Sequence, residues 1–357
     1  MNKVKKSIFA MTMVVAMICL GASPVNAASE QNQDIWGVLK KLTNKSTSAS
    51  TSVLADLANA TLDKAGIMKW ELKLSELGVQ ISSKSDEAVK IQSKLGGLSV
   101  KMPFSSTASN GREISNGIIA FDNKNGSASV PIIKSDGSLQ MTTVIQSAAA
   151  PTRYTYQFQT DSDLKILKYR GGLILLKNSK FAGAVAPAWA KDASGKDVPT
   201  HYEVDGSEIT QVVEHPSAEY EYPIVADPWL GTNLFSSVYL ASWTYSAQPV
   251  VNLNLSTWGW LVYSGVAQGG LPLSFGAGQA ILDTAGWDEA WGKGGAIRAA
   301  LDKPSQRQQF SCHALGAIAA GEWNLEKGRP NRLNGNWGAG VAIHHCNWKY
   351  AEGSQTD

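Results

Sequence analysis

Between Gln309 and Asn347 the chain gathers its densest set of reactive side chains: Gln309-Phe310-Ser311-Cys312-His313, then Trp323-Asn324-Leu325-Glu326, Arg329-Pro330, and His344-His345-Cys346-Asn347. These residue types permit three kinds of chemistry. His313 with Glu326 or Arg329 supplies an acid–base pair and a cation for an anionic group, the parts of a simple hydrolase. Imidazoles titrate near neutral pH, so His313 beside His344 and His345 suits proton transfer or metal ligation. Trp323, with Trp337 and Trp348, offers aromatic faces on which a sugar can stack, and Asn324 and His345 stand as polar neighbours for such a ligand.

Spacing limits each of these. On one continuous helix His313 and Glu326 would stand about 20 Å apart and on opposite faces. The pair therefore requires the helix to end near Gly321 and the chain to fold back. No H-E-x-x-H spacing occurs, and no carboxylate adjoins His344 or His345, so no metal site is expected. Plain structural roles compete throughout. Glu326 and Arg329 have the makings of a buried ion pair that fixes a turn. His313 can serve as a core histidine bonded to main chain, Asn324 as a helix-end cap, and the tryptophans as the core of a small domain.

The first residues predict export. Lys3, Lys5 and Lys6 precede an uncharged apolar run from Ile8 to Leu20, and Pro24-Val25-Asn26-Ala27 supplies a V-x-A cleavage site. A membrane anchor is the alternative, but the run falls short of the roughly 20 residues that span a bilayer. Cys19 lacks the small residues of a lipobox before it. Losing those three lysines from 32 basic residues, against 30 acidic ones, turns the formal charge slightly negative. No basic stripe then argues for nucleic acid. Of the 3 cysteines only Cys312 and Cys346 remain, and an oxidising compartment favours their pairing. Such a cystine closes a loop of roughly 34 residues, a stabilisation of about 3–4 kcal/mol. It also gathers His313 and His345 into one neighbourhood.

The order and spacing of Gln309–His313, Trp323–Glu326, Arg329-Pro330 and Cys346-Asn347 resemble uncharacterised domain family 2599, over roughly residues 240–348. Trp348 departs from it, standing where proline is expected. The resemblance implies a secreted protein of a Gram-positive bacterium and implies no particular reaction. His215 followed by Tyr222-Pro223-Ile224-Val225-Ala226-Asp227-Pro228 is similar to the end of a front domain that precedes varied C-terminal modules, as in toxin and bacteriocin precursors.

The rest of the chain supplies the scaffold. Residues 28–66 predict a polar linker, rich in Ser and Thr to position 52, and a short helix from Leu54 that Gly66 ends. From Trp70 the apolar period becomes two, with turn signals at Asn125-Gly126, Asp136-Gly137, Gly171-Gly172 and Asp205-Gly206. Thr200 to Val204 and Glu208 to Val213, around Asp205-Gly206, make the clearest hairpin. Residues 67–228 thus predict a mainly antiparallel, sandwich-like β domain. Trp229 to Trp287 carries one charge, Asp283. Half-buried strands at Val250–Leu255 and Trp258-Gly259-Trp260 account for it, with peripheral membrane contact through 229–287 as the sharper alternative. Helices are expected from Ala285 to Leu301 and from Pro304 to about Gly321.

The fold class expected is α+β: signal peptide 1–27, linker and helix 28–66, β domain 67–228, and a small disulfide-stapled α+β domain 229–357. No G-x-S-x-G, P-loop, C-x-x-C or EF-hand pattern is present, and no cofactor is expected. The function expected is a secreted effector or binding protein, bacteriocin-like or toxin-like, whose C-terminal domain acts on competitor cells or the cell envelope. A hydrolase of lipid or cell-wall glycan, using His313, Glu326 and Arg329, is the catalytic alternative. A non-catalytic envelope or matrix protein is the third.

Overall fold

A computed structural model describes residues 24–48, 50–72, 77–92, 97–169, 171–264, 277–316, 321–332 and 345–349. The fold is mixed α+β: a region rich in β-sheet comes first, and a region with several helices and one disulfide, Cys312–Cys346, follows. The apolar run of the predicted signal, His344 and Trp337 lie outside the described residues.

Every strand pairing is antiparallel in two large sheets. One sheet has eight strands and runs from Thr61–Leu62 at one edge to Thr200–Asp205 at the other. The other has 10 strands and includes Ser127–Ile133, Leu139–Ile145, Gly172–Lys177 and Lys180–Val185. Val79, Ile81, Val100, Tyr156 and Ile209 of the first share one apolar core with Ile119, Met141, Leu175, Ala226 and Leu230 of the second. The predicted hairpin forms, with Asp205 paired to Glu208, so the turn residues are Gly206 and Ser207. Gly206 has φ 56°, which glycine adopts without strain.

Burial differs between the sheets. Arg153–Gln159 of the first alternates between buried and exposed residues, as a half-solvated strand must. Ser127–Ile133 and Leu139–Ile145 of the second are buried at every position, so both faces are covered. Two coverings account for this. Ile35, Leu39 and Leu42 of the helix Pro24–Lys45 pack with Ala128, Val130, Ile132 and Val144. Ile174, Phe181, Ala184 and Trp229 instead pack with the C-terminal region, through Phe235, Trp258, Leu261, Phe310 and Trp323.

Two expectations for 28–66 need correction. Pro24–Lys45 is a helix and not a linker. Ile35, Leu39 and Leu42 face the sheet at helical spacing, with Trp36 and Val38 packed at the margin of the same cluster, and the mostly polar composition of 28–53 concealed the pattern. The segment from Leu54 is not a helix. Lys134 Nζ donates to the carbonyls of Ser52, Val53 and Ala55, at 3.2, 2.7 and 2.7 Å, and Ala58 N donates to Ile133 O. Bonds to the sheet have replaced those a helix would have made.

The predicted boundary after Pro228 lies within a ladder, because Trp229–Gly231 still pairs with Lys180–Val185 and with Leu139–Ile145. Beyond it, Phe235–Tyr245, Gln248–Leu255 and Trp323–Glu326 form a three-stranded antiparallel sheet. The expected strand at Trp258-Gly259-Trp260 is instead the helix Thr257–Ser264. Ser256 Oγ caps it, accepting from Trp258 N and Gly259 N at 3.1 and 3.0 Å. Trp258 is thereby set against Trp229, ring centroids 5.0 Å apart. The predicted 285–301 helix is broken in two, Trp287–Gly292 and Gly295–Leu301, at Gly294 with φ 67°. Among the described residues no helix is long and apolar enough to cross a membrane.

Candidate functional site

The helix Pro304–Gly316 carries Gln306, Gln309, Cys312 and His313, all buried. The chain does fold back: Trp323–Glu326 is a strand pairing with Gln248–Leu255, so Val250 faces Glu326 and Leu253 faces Trp323. The helix lies against that strand. Gln309 Oε1 accepts from Glu326 N at 2.8 Å and its Nε2 donates to Glu326 O at 3.1 Å, as a neighbouring strand would. Asn324 is therefore a strand residue facing Asn252 and caps no helix.

The fold-back does not make His313 and Glu326 partners. His313 lies flat on Trp323, centroids 5.3 Å apart and planes 13° apart, and is 2% exposed. Neither ring nitrogen has a hydrogen-bond partner among the described residues. Burial drives its pKa down to about 3, opposed only weakly by the Asn324 main chain. Among the described residues it is thus a buried histidine whose neutral form is favoured.

Glu326 is engaged elsewhere. Its Oε2 accepts from Arg329 Nε at 2.5 Å and its Oε1 from Asn347 Nδ2 at 3.1 Å. Arg329 Nη1 also donates to Tyr245 Oη at 3.0 Å and Trp348 O at 3.2 Å, and the guanidinium lies 3.7 Å from the Tyr245 ring centroid. Trp348 Nε1 donates to Pro330 O at 2.7 Å. Both members of the pair are largely buried. The structural alternative for this pair, a salt bridge that fixes a turn, is the one found, and it also pins residues 347–348.

The cystine forms, with Cα atoms 5.4 Å apart. His345 is exposed while His313 is enclosed, and His344 lies outside the described residues. Among the described residues no group of three potential ligands can hold a metal. Trp323 and Trp348 are buried at 2% and 0% exposure, so neither presents a face to a sugar.

The exposed aromatics lie on a hairpin that the sequence marked only as charge-poor. Phe235–Tyr245 and Gln248–Leu255 are joined at Ser246-Ala247, with φ 51° and 57°. The first strand is an edge of its sheet. Its register with the second shifts between Leu240 and Thr244: Ala241, Ser242 and Trp243 face Val250 alone. Such a bulge bends an edge strand and re-aims its side chains. Tyr239 and Trp243 are each 43% exposed and Leu240 is 39% exposed.

On the face of this sheet that carries Tyr239, Glu322 organises the polar groups. Its Oε1 accepts from Asn252 Nδ2 at 2.8 Å, and its Oε2 accepts from Tyr239 Oη and Asn254 Nδ2, both at 2.7 Å. Asn254 Nδ2 also donates to Ser237 Oγ at 3.0 Å. Alternation in Val250-Val251-Asn252-Leu253-Asn254-Leu255 already placed both asparagines on one face. Nothing in the sequence joined them to Glu322, 70 residues away from Asn252.

The chain matches no protein-family model, and no curated protein matches it. The motif resemblance to domain family 2599 gains no support from these comparisons, and function rests on the geometry.

Proposed function

We propose that this is an exported, non-catalytic binding protein that docks on the cell envelope through the hairpin 235–255. The observation that carries it is the uncharged edge strand, which leaves Tyr239, Leu240 and Trp243 exposed within one short stretch, while His313 is buried and Glu326 and Arg329 pair in the interior. Exposed aromatic and apolar residues on one short element are the usual mark of an interaction surface. Lys3, Lys5, Lys6 and the apolar run after them support export. In this reading the two large sheets form a sandwich that carries the C-terminal region as its binding end, and the cystine staples the tail of that end.

The burial of His313 and the Glu326–Arg329 ion pair favour this over the hydrolase. A bacteriocin-like action would be a consequence of docking and needs no further site. The test is co-sedimentation of the purified chain with isolated cell envelopes from Gram-positive bacteria. Binding that drops by about tenfold in Leu240→Ser/Trp243→Ser is expected, equivalent to about 1.4 kcal/mol. A folded chain that remains wholly in the supernatant defeats the proposal.

A further inference from the structure

We propose that the face of the three-stranded sheet bearing Tyr239, Asn254, Asn324 and Glu322, with Asn252 buried beneath them, is a shallow platform for a neutral saccharide. This rests on the docking role just argued and gives it a ligand class.

The chemistry of the face points there. A sugar ring has apolar C–H faces and a rim of hydroxyls that each donate and accept. Its binder needs an exposed aromatic face beside several planar, fixed polar groups. Tyr239 supplies the aromatic ring, and its hydroxyl is fixed by Glu322 at 2.7 Å. Glu322 is in turn held by Asn252 and Asn254, so its carboxylate is oriented before any ligand arrives. A carboxylate offers about four lone-pair sites. Three are taken among the described residues, and a fourth can accept from a ligand hydroxyl. Asn324, half-buried and facing Asn252 across the ladder, makes no side-chain hydrogen bond to the described residues. Its amide can donate and accept at the rim.

Charge decides between occupants. From Phe235 to Leu255 there is no ionised side chain, so nothing on the hairpin selects an anionic polymer. Glu322 is already compensated by three donors, which weakens its pull on a cationic peptide. Insertion of this face into lipid would strip water from a carboxylate and the amides of Asn254 and Asn324, a cost of several kcal/mol. A wet, aromatic, hydroxyl-bearing face fits a neutral glycan.

The experiment is titration of the full-length mature chain with soluble hexaoses of glucose, in α-1,4 and β-1,4 linkage, and of N-acetylglucosamine. Heat and intrinsic fluorescence are the readouts. Vesicles of neutral and of anionic phospholipid are tested in parallel. At least one hexaose is expected to bind and to quench tyrosine or tryptophan emission. Glu322→Gln and Tyr239→Ser should each weaken that binding by about tenfold. Because either change can loosen the sheet, the unfolding midpoint of each variant is measured, and Asn324→Ala, which breaks no side-chain hydrogen bond among the described residues, is the third variant. Vesicle binding without saccharide binding overturns the ligand class and leaves the docking role intact. Failure to bind envelopes, hexaoses and vesicles alike overturns both. Saccharide binding that all three variants leave unchanged overturns the location.

Discussion

His313 stacks on Trp323 with their planes 13° apart, in the interior between the helix Pro304–Gly316 and the strand Trp323–Glu326. The contact places a histidine beside a cystine in the core and out of solvent. It is enclosed by an aromatic face and by packing, and burial keeps it neutral.

The pH dependence follows from the sign of that shift. The folded pKa, about 3, lies below the ordinary 6.5, so the unfolded chain takes up the proton first as pH falls. Stability from this group is full above 6.5 and is lost as pH drops toward 3, at about 1.4 kcal/mol per pH unit. Glu289 and Asp227 act oppositely: burial raises each to about 7, so over the upper part of that window they favour the fold as pH falls. Comparing wild type with His313→Phe isolates the histidine. The variant should keep the stack and show a smaller loss between pH 6 and 4 in chemical denaturation. Equal pH slopes would place the ring in contact with water.

Removal of the cystine by Cys312→Ala/Cys346→Ala is expected to lower stability by about 3–4 kcal/mol, from the 34-residue separation. Residues 347–348 retain the bonds to Glu326, Arg329 and Pro330, so envelope binding through the hairpin should persist below the new unfolding midpoint. Urea titration with and without reductant measures the first quantity, and co-sedimentation the second.

Glu326→Ala leaves Arg329 largely buried without its carboxylate, which costs about 3–5 kcal/mol. Arg329→Lys should cost less, because an ammonium keeps the charge and loses the planar contact with Tyr245. If either variant altered hexaose affinity at temperatures where it stays folded, the pair would belong to the binding face and not only to the tail lock.

Gly231 is set by Trp258. A Cβ there would stand 1.8 Å from Trp258 Nε1 and Cε2, and the indole is closed in against Trp229. Gly231→Ala should therefore displace Trp258 and destabilise the chain by about 1–3 kcal/mol. A change in tryptophan fluorescence of the folded state is the companion readout. An unchanged midpoint would mean that the helix Thr257–Ser264 can shift freely.

Much of the architecture is local, and local pattern made it legible. Alternation and Asp205-Gly206 fixed the hairpin Thr200–Asp205 with Glu208–Val213, because a two-residue period and a tight turn are properties of the nearby chain. Cysteine count and the predicted export favoured the pairing of Cys312 with Cys346, and the three-residue spacing of Glu326 and Arg329 suited an ion pair. What only the tertiary structure decided is which groups are left for solvent. Trp323, Trp348 and His313 have the chemistry of a binding site yet are enclosed. Tyr239 and Trp243 have no motif about them yet stand exposed on an edge strand, Trp243 within a bulge whose register is set by the partner strand. The same holds for Lys134, which drew the 52–55 carbonyls away from helix formation, and for Glu322, which meets Asn252 and Asn254 across the sheet. Side-chain identity is written in the chain, but exposure and partnership belong to contacts between segments distant along it.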